Sequence, residues 1–215
     1  MKLKRTSSAL GLAMFTLLAS PLAMADTSTW YGGFNYGQSR SKIDDSSVVN
    51  GVAGPGFATT AVSHDDTSNG YKVYAGYKFN QYFALEGGYF DLGTFSLNAT
   101  MTPPGTLTGN IKLKGVNFDA VGTLPFTENF SGFARLGWAY SQAKDAFSGT
   151  GSLGGLNSDP SKSELNYKYG VGLEYSFTPS IGMRLEEEAY RVNPAVGSRG
   201  NVDLISLGLF FGYGG

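Results

Sequence analysis

The chain has 215 residues, with 16 Lys+Arg, 17 Asp+Glu, one histidine and no cysteine. The missing cysteine excludes disulfides and a lipid-modified N-terminal thiol. Three of the cations lie before residue 26, so the remainder carries a formal charge of −4, no basis for a nucleic-acid-binding surface.

Residues 1–25 read as an export signal. Lys2, Lys4 and Arg5 form a basic start, an apolar run follows over 9–19, and Ala23-Met24-Ala25 supplies the small residues of a cleavage site. The expected domain is then 26–215. No later apolar run has the length of a transmembrane helix. An exported, aromatic-rich chain of this kind can cross a bilayer as a closed β-barrel, where every backbone polar group is paired between strands.

In chain order, the periodicity predicts eight strands: 29–38, 71–79, 82–92, 116–124, 130–142, two from the hairpin 166–192, and 202–213. The first puts Trp30, Phe34 and Tyr36 on one face and Gly33, Asn35 and Gly37 on the other. The second alternates Tyr71, Val73, Ala75, Tyr77 and Phe79 with Lys72, Tyr74, Gly76 and Lys78. The third alternates Phe83, Leu85 and Tyr89 with Ala84, Glu86 and Phe90. In the fourth, Val116, Phe118 and Ala120 alternate with Asn117 and Asp119. Ile111 and Leu113 have the opposite parity, which predicts a bulge or loop extension near Gly115. The fifth sets Leu136, Trp138 and Tyr140 against Arg135 and Ser141. The hairpin is the clearest case: Tyr167, Tyr169, Val171, Leu173, Tyr175 and Phe177 oppose Lys168, Gly170, Gly172 and Glu174, and after the turn at 178–180, Ile181, Met183 and Leu185 oppose Arg184 and Glu186. The last strand sets Ile205, Leu207, Leu209, Phe211 and Tyr213 against Ser206, Gly208 and Gly212.

One face is thus apolar and aromatic, the other glycine mixed with charges of both signs. That is a barrel turned inside out, with lipid outside and a polar interior. The predicted connections alternate long (39–70, 93–110, 143–164) and short (80–81, 125–129, 178–180), with a moderate one at 193–201. The fold expected is an all-β, eight-stranded antiparallel transmembrane barrel of outer-membrane type, with both termini periplasmic and the long loops extracellular. Trp30, Tyr77, Tyr89, Trp138, Tyr140, Tyr175, Phe211 and Tyr213 are the candidate aromatic girdles. Glu187 takes the outward parity, which places it near an interface or requires a register shift.

Thr29-Trp30-Tyr31-x-Gly33, Gly76-Tyr77 through Tyr89, Gly115-Val116 to Pro125, Arg135-Leu136-Gly137, Gly172-x-Glu174-Tyr175 with Thr178-Pro179, Arg184-Leu185-Glu186 and Ser206-Leu207-Gly208 stand in an order and spacing that resembles the OmpA-like transmembrane β-barrel family. The resemblance implies a bacterial outer-membrane location and an interior charge cluster at Glu86, Arg135, Glu174, Arg184 and Glu186. A lysine that joins this cluster in the best-known member aligns with Val121. Some members carry a periplasmic peptidoglycan-binding domain after the barrel; none is expected in a sequence that stops at Gly215.

Inward parity adds Lys72, Lys78, Asp119 and Lys168 to the cluster, with Glu188 as a further candidate. Eight strands leave only enough room for side chains to fill the interior, so these charges are expected to pair. Two roles follow: a static plug, or a gate in which Arg184 exchanges carboxylate partners. No catalytic residue, metal site or cofactor is expected. The Gly149–Gly154 run lacks the helix that a dinucleotide loop requires. Asp44-Asp45 and Asp65-Asp66 lack EF-hand spacing, and His64 sits within a long loop. The function expected is a surface-interaction and structural role through long extracellular loops. Its partners would be outer-membrane lipid, lipopolysaccharide and host or cell-surface ligands, and the protein would be a monomer. A narrow pore is the alternative, and a lipid-modifying enzyme the third reading.

Overall fold

Period-two sequence becomes strand throughout the structure, a computed structural model that describes residues 29–43, 45–53, 56–196 and 198–213. The export-signal segment lies outside them. The elements are β1 (Thr29–Lys42), α1 (Asp45–Ala53), β2 (Ala58–Asp65), β3 (Thr67–Lys78), β4 (Phe83–Thr102), β5 (Gly105–Pro125), β6 (Phe130–Gly151), β7 (Asn157–Ser158), β8 (Ser161–Thr178), β9 (Ile181–Val192) and β10 (Gly200–Tyr213). No helix among the described residues is long and apolar enough to cross a membrane.

Eight strands close a ring of antiparallel pairs in the order β1, β3, β4, β5, β6, β8, β9, β10 and back to β1. The stagger follows from the register. From Tyr36, one direction runs through Leu207, Leu185, Leu173 and Gly132 to Leu124. The other runs through Tyr71 and Asp91 to Lys114. The two traces reach β5 ten residues apart (124 against 114), so the strands are strongly inclined to the barrel axis.

Near the short turns, the outward residues are the predicted apolar set. Toward the other end the polarity reverses. On β5, Val116 (52% exposed) and Phe118 (55%) face out, whereas Leu113 (0%) and Ile111 (4%) face in, with Lys112 exposed between them. The strands there form an ordinary water-soluble sheet with an apolar core, lined by Phe95, Leu97, Met101, Leu107 and Phe147 and capped by Val48 and Val49 of α1.

This reversal corrects several expectations. Residues 93–110 are the continuous hairpin of β4 and β5 rather than a loop, and 143–151 extend β6. The region 39–70 contains the end of β1, α1, β2 and the start of β3. In the Gly149–Gly154 run, residues 149–151 are strand and Leu153 is buried in the core. No register shift occurs along β5 near Gly115. The shift lies opposite, between Asp91 and Gly93 on β4. There the inward set changes from Phe90 and Leu92 to Phe95 and Leu97. Gly93 has φ +83°, which an L residue adopts only at a cost, and its N–H donates to Asp91 Oδ1 (2.8 Å). Ile111 and Leu113 therefore keep the register of Asn117 and Asp119; the interior changes polarity around them. Glu187 also keeps its register. It is exposed and shares the outer surface with Lys42, which is ion-paired to Asp203.

Candidate functional site

The inward residues of the lipid-type half form a layered stack. Nearest the short turns, Tyr31, Phe133, Phe210 and Tyr74 fill the bore with Ala84 and Val121. Inward glycines leave room for them: the rings of Phe133 and Phe210 occupy the space where side chains at 172 and 182 would stand. Val121 belongs to this apolar layer.

Above it lies a charged layer. Arg184 donates from Nη1 to Glu86 Oε1 (2.8 Å) and from Nη2 to Glu174 Oε2 (2.9 Å), with its guanidinium over the Phe133 ring at 4.7 Å. Glu86 also accepts from Tyr31 Oη (2.7 Å) and Arg135 Nη1 (2.7 Å). Arg135 Nη2 reaches Glu186 (2.7 Å), and Lys72 Nζ bridges Glu186 (2.6 Å) and Glu188 (2.9 Å). Lys168 Nζ joins Asp119 (2.7 Å) to Glu188 (2.5 Å). Lys78, at the short-turn mouth, lies 3.5 Å from Glu174. Five carboxylates thus alternate with five cations from strands far apart in sequence, and each fully buried charge has opposite-signed neighbours.

All seven residues of the predicted network — Glu86, Arg135, Glu174, Arg184, Glu186, Lys72 and Asp119 — therefore meet in one layer. Lys78, Lys168 and Glu188, readable from parity, complete it. Tyr31 and Tyr190 went unassigned in the sequence. Tyr31 shares the parity of Gly33 and Asn35, and Tyr190 that of Arg184 and Glu186, so parity was the available signal. Tyr190 donates to Glu188 (3.0 Å) and packs on Phe90 with ring centroids 4.6 Å apart. That contact joins the charged layer to the apolar core above, so the bore is filled from the Phe133–Phe210 layer through to α1. In such surroundings, removing one partner of a buried pair costs far more than the pair contributes.

Of the predicted girdle residues, Trp30 and Tyr77 stack edge to face at 5.1 Å, and Tyr175 meets Phe177 at 5.4 Å, all toward the short turns, where Phe211 is also exposed. Tyr89, Trp138 and Tyr140 are exposed at the other edge of the apolar band, with Tyr71 beside Tyr89 at 6.2 Å. The Tyr213 backbone pairs with Trp30, and its side chain lies outside the described residues. Asp44 and the Asp45 side chain also lie outside them. Asp65 accepts from Thr67, and His64 pairs with Asp66 at 3.2 Å.

A family model for the OmpA-like transmembrane domain matches residues 25–214. Outer membrane protein A of Escherichia coli O157:H7 is 26% identical over 218 residues, covering 99% of this chain and 56% of that protein. That of Yersinia pseudotuberculosis is 28% identical with the same coverage. The chain spans about half the length of these relatives. Among solved structures, Neisserial surface protein A has TM-score 0.56 at 12% identity, covering 86% of this chain and 97% of that one. Ail of Yersinia pestis, in complex with the heparin analogue sucrose octasulfate, has TM-score 0.51 at 19% identity, with coverages of 86% and 99%. At these identities the two structures are similar in fold alone.

Proposed function

The chain belongs to the OmpA-like transmembrane domain family, integral barrels of the outer membrane, and from that premise we propose that it anchors and displays a rigid surface head and does not serve as a pore. One observation carries the reading. The bore is filled twice, by paired charges in the lipid-embedded half and by an apolar core in the head. In this orientation the short turns and both termini face the periplasm, residues 1–25 are the export signal, and the domain is 26–215. Lys112 and Lys144, exposed just beyond the apolar band, stand where phosphorylated lipopolysaccharide headgroups lie. The head then meets host or cell-surface ligands, as a monomer and without catalysis.

The test has two arms. The purified barrel in a planar bilayer is expected to give no steady conductance. Cells displaying it are expected to attach to heparin-coated beads, a probe suggested by the ligand of Ail, and to lose attachment when the hairpin over 94–110 is shortened. A steady conductance that changes in Arg184→Ser would favour the gated-pore reading, since Arg184 already touches two carboxylates, Glu86 and Glu174.

A further inference from the structure

A strand with a neighbour on one side alone presents a row of unpaired N–H and C=O groups, and in the head β2 is such a strand. Below Asp66, β3 pairs with β4 on one side and β1 on the other. Above it, β2 continues along β4, but β1 ends at Lys42 and turns into α1. Among the described residues β2 pairs with β4 alone. All eight of its residues are exposed. Val62, opposite Ala99 and therefore on the core side, is exposed as well. A bulge at Thr60, between the pairs Thr59–Met101 and Ala61–Thr100, interrupts the upper part of the edge; from Ala61 to Ser63 it carries no Lys, no Pro and no inward charge, other devices that guard such an edge. At its lower end opens a cleft of about 420 Å³, with Ile43, Phe95, Leu97 and Ile111 along its floor and Arg40 and Lys42 at its rim. Lys42 is paired to Asp203, whereas Arg40 makes no ion pair among the described residues.

We propose that β2 receives an extended segment of a partner polypeptide as an added strand, with an apolar side chain in the cleft and an acidic residue on Arg40. The proposal rests on the surface-display reading and names the kind of partner that surface takes. Backbone groups along a free edge are satisfied by another backbone, and alternate side-chain pockets supply selectivity. The added strand would run antiparallel to β2, in line with β1, so its first residues lie at the cleft and carry the acid.

Two other occupants fit less well. The chain's own terminal segments leave from Thr29 and Tyr213, at the opposite end of the barrel. A second copy in the same membrane is related by rotation about the membrane normal. That rotation keeps both β2 strands running downward and crosses them at about 70–90°, twice the usual strand tilt, so they cannot pair.

The experiment uses the full barrel in nanodiscs. The probes are N-acetylated synthetic peptides as long as β2, alternating valine and threonine, with the first residue varied through all twenty types. Binding is read by anisotropy and by amide exchange of residues 58–64. Peptides beginning with Asp or Glu are expected to bind best and to protect 58–64. Several backbone hydrogen bonds are at stake, so N-methylating the peptide amides that face β2 should weaken binding at least about tenfold. Val62→Lys, at an exposed position and checked for heat-modifiability, should weaken it similarly. Arg40→Ala should erase the preference for an acidic first residue. The proposal is overturned if no peptide protects 58–64, if N-methylation changes nothing, or if the barrel forms dimers that Val62→Lys dissolves. If bead attachment persists while no peptide binds, the edge is excluded and the display reading stands; if peptides bind but attachment is never seen, the display reading fails and the edge stands.

Discussion

The two halves of the barrel share the same strands and opposite solvents. On β6, Arg135 is buried and Leu136, Trp138 and Tyr140 are exposed; eight residues beyond Ala139, Phe147 is buried while Lys144 and Ser148 are exposed. Backbone pairing from Gly105 to Pro125 against Ser131 to Gly151 shows no shift. The face that carries apolar side chains is therefore set by what surrounds the barrel, not by strand geometry. In lipid the outside is apolar and the interior must pair its charges; in water the interior supplies the hydrophobic stabilisation.

The largest break in this contrast is expected at Glu86. Glu86→Ala leaves Arg135 and Arg184 short of a buried partner and Tyr31 without its acceptor. It should destabilise the lipid-embedded half by about 3–5 kcal/mol, read by urea unfolding in vesicles. A comparable loss from an exposed head pair, Arg199 with Glu164, would contradict the contrast between the halves.

A charge exchange sharpens it further. Phe118→Lys places a cation in lipid and should cost about 2–4 kcal/mol. Lys112→Leu, on the same outward face six residues earlier in β5, should stay within about 0.5 kcal/mol. Equal costs would mean that the polarity boundary on β5 lies elsewhere than between Lys114 and Val116.

The junction itself is held by Gly93. Gly93→Ala puts a side chain at φ +83°, against Ser68 and the Asn69 carbonyl, and should cost at least about 1–2 kcal/mol. Exchange of head amides should rise before those of the lipid-embedded half.

The smallest effect is a pH dependence confined to the head. Burial holds the Asp145 carboxyl above its usual range, although Oδ2 accepts the Val196 N–H at 3.1 Å. A raised acid binds more protons folded than unfolded, so its contribution falls as pH rises from the unfolded value upward. Asp145→Asn should flatten that slope in the amide exchange of residues around Val196. Glu164 acts oppositely. Asn193 and Arg199 hold its carboxyl low, so the stability it contributes is lost as pH falls.

Much of the lipid-embedded half was legible in the sequence, because period two separates Tyr167, Tyr169 and Val171 from Lys168 and Gly170 without knowledge of any neighbour. The same rule placed Glu86, Arg135, Arg184 and Glu186 inward. It could not say that Arg184 takes Glu86 and Glu174 together, since those contacts depend on the stagger and on side-chain reach across the bore. The head reads as loops in the sequence because Thr106 to Leu113 carries its apolar residues on the face opposite to that of Val116 and Phe118.

What the sequence determined by itself was the alternation, the short turns and the sign of each inward charge, all consequences of neighbouring residues along one strand. Which charges met across the bore, where the bulge at Gly93 fell and that β2 was left with a free edge were decided by closure of the ring. Those properties belong to the packing of strands distant in the chain, and no single strand carries them.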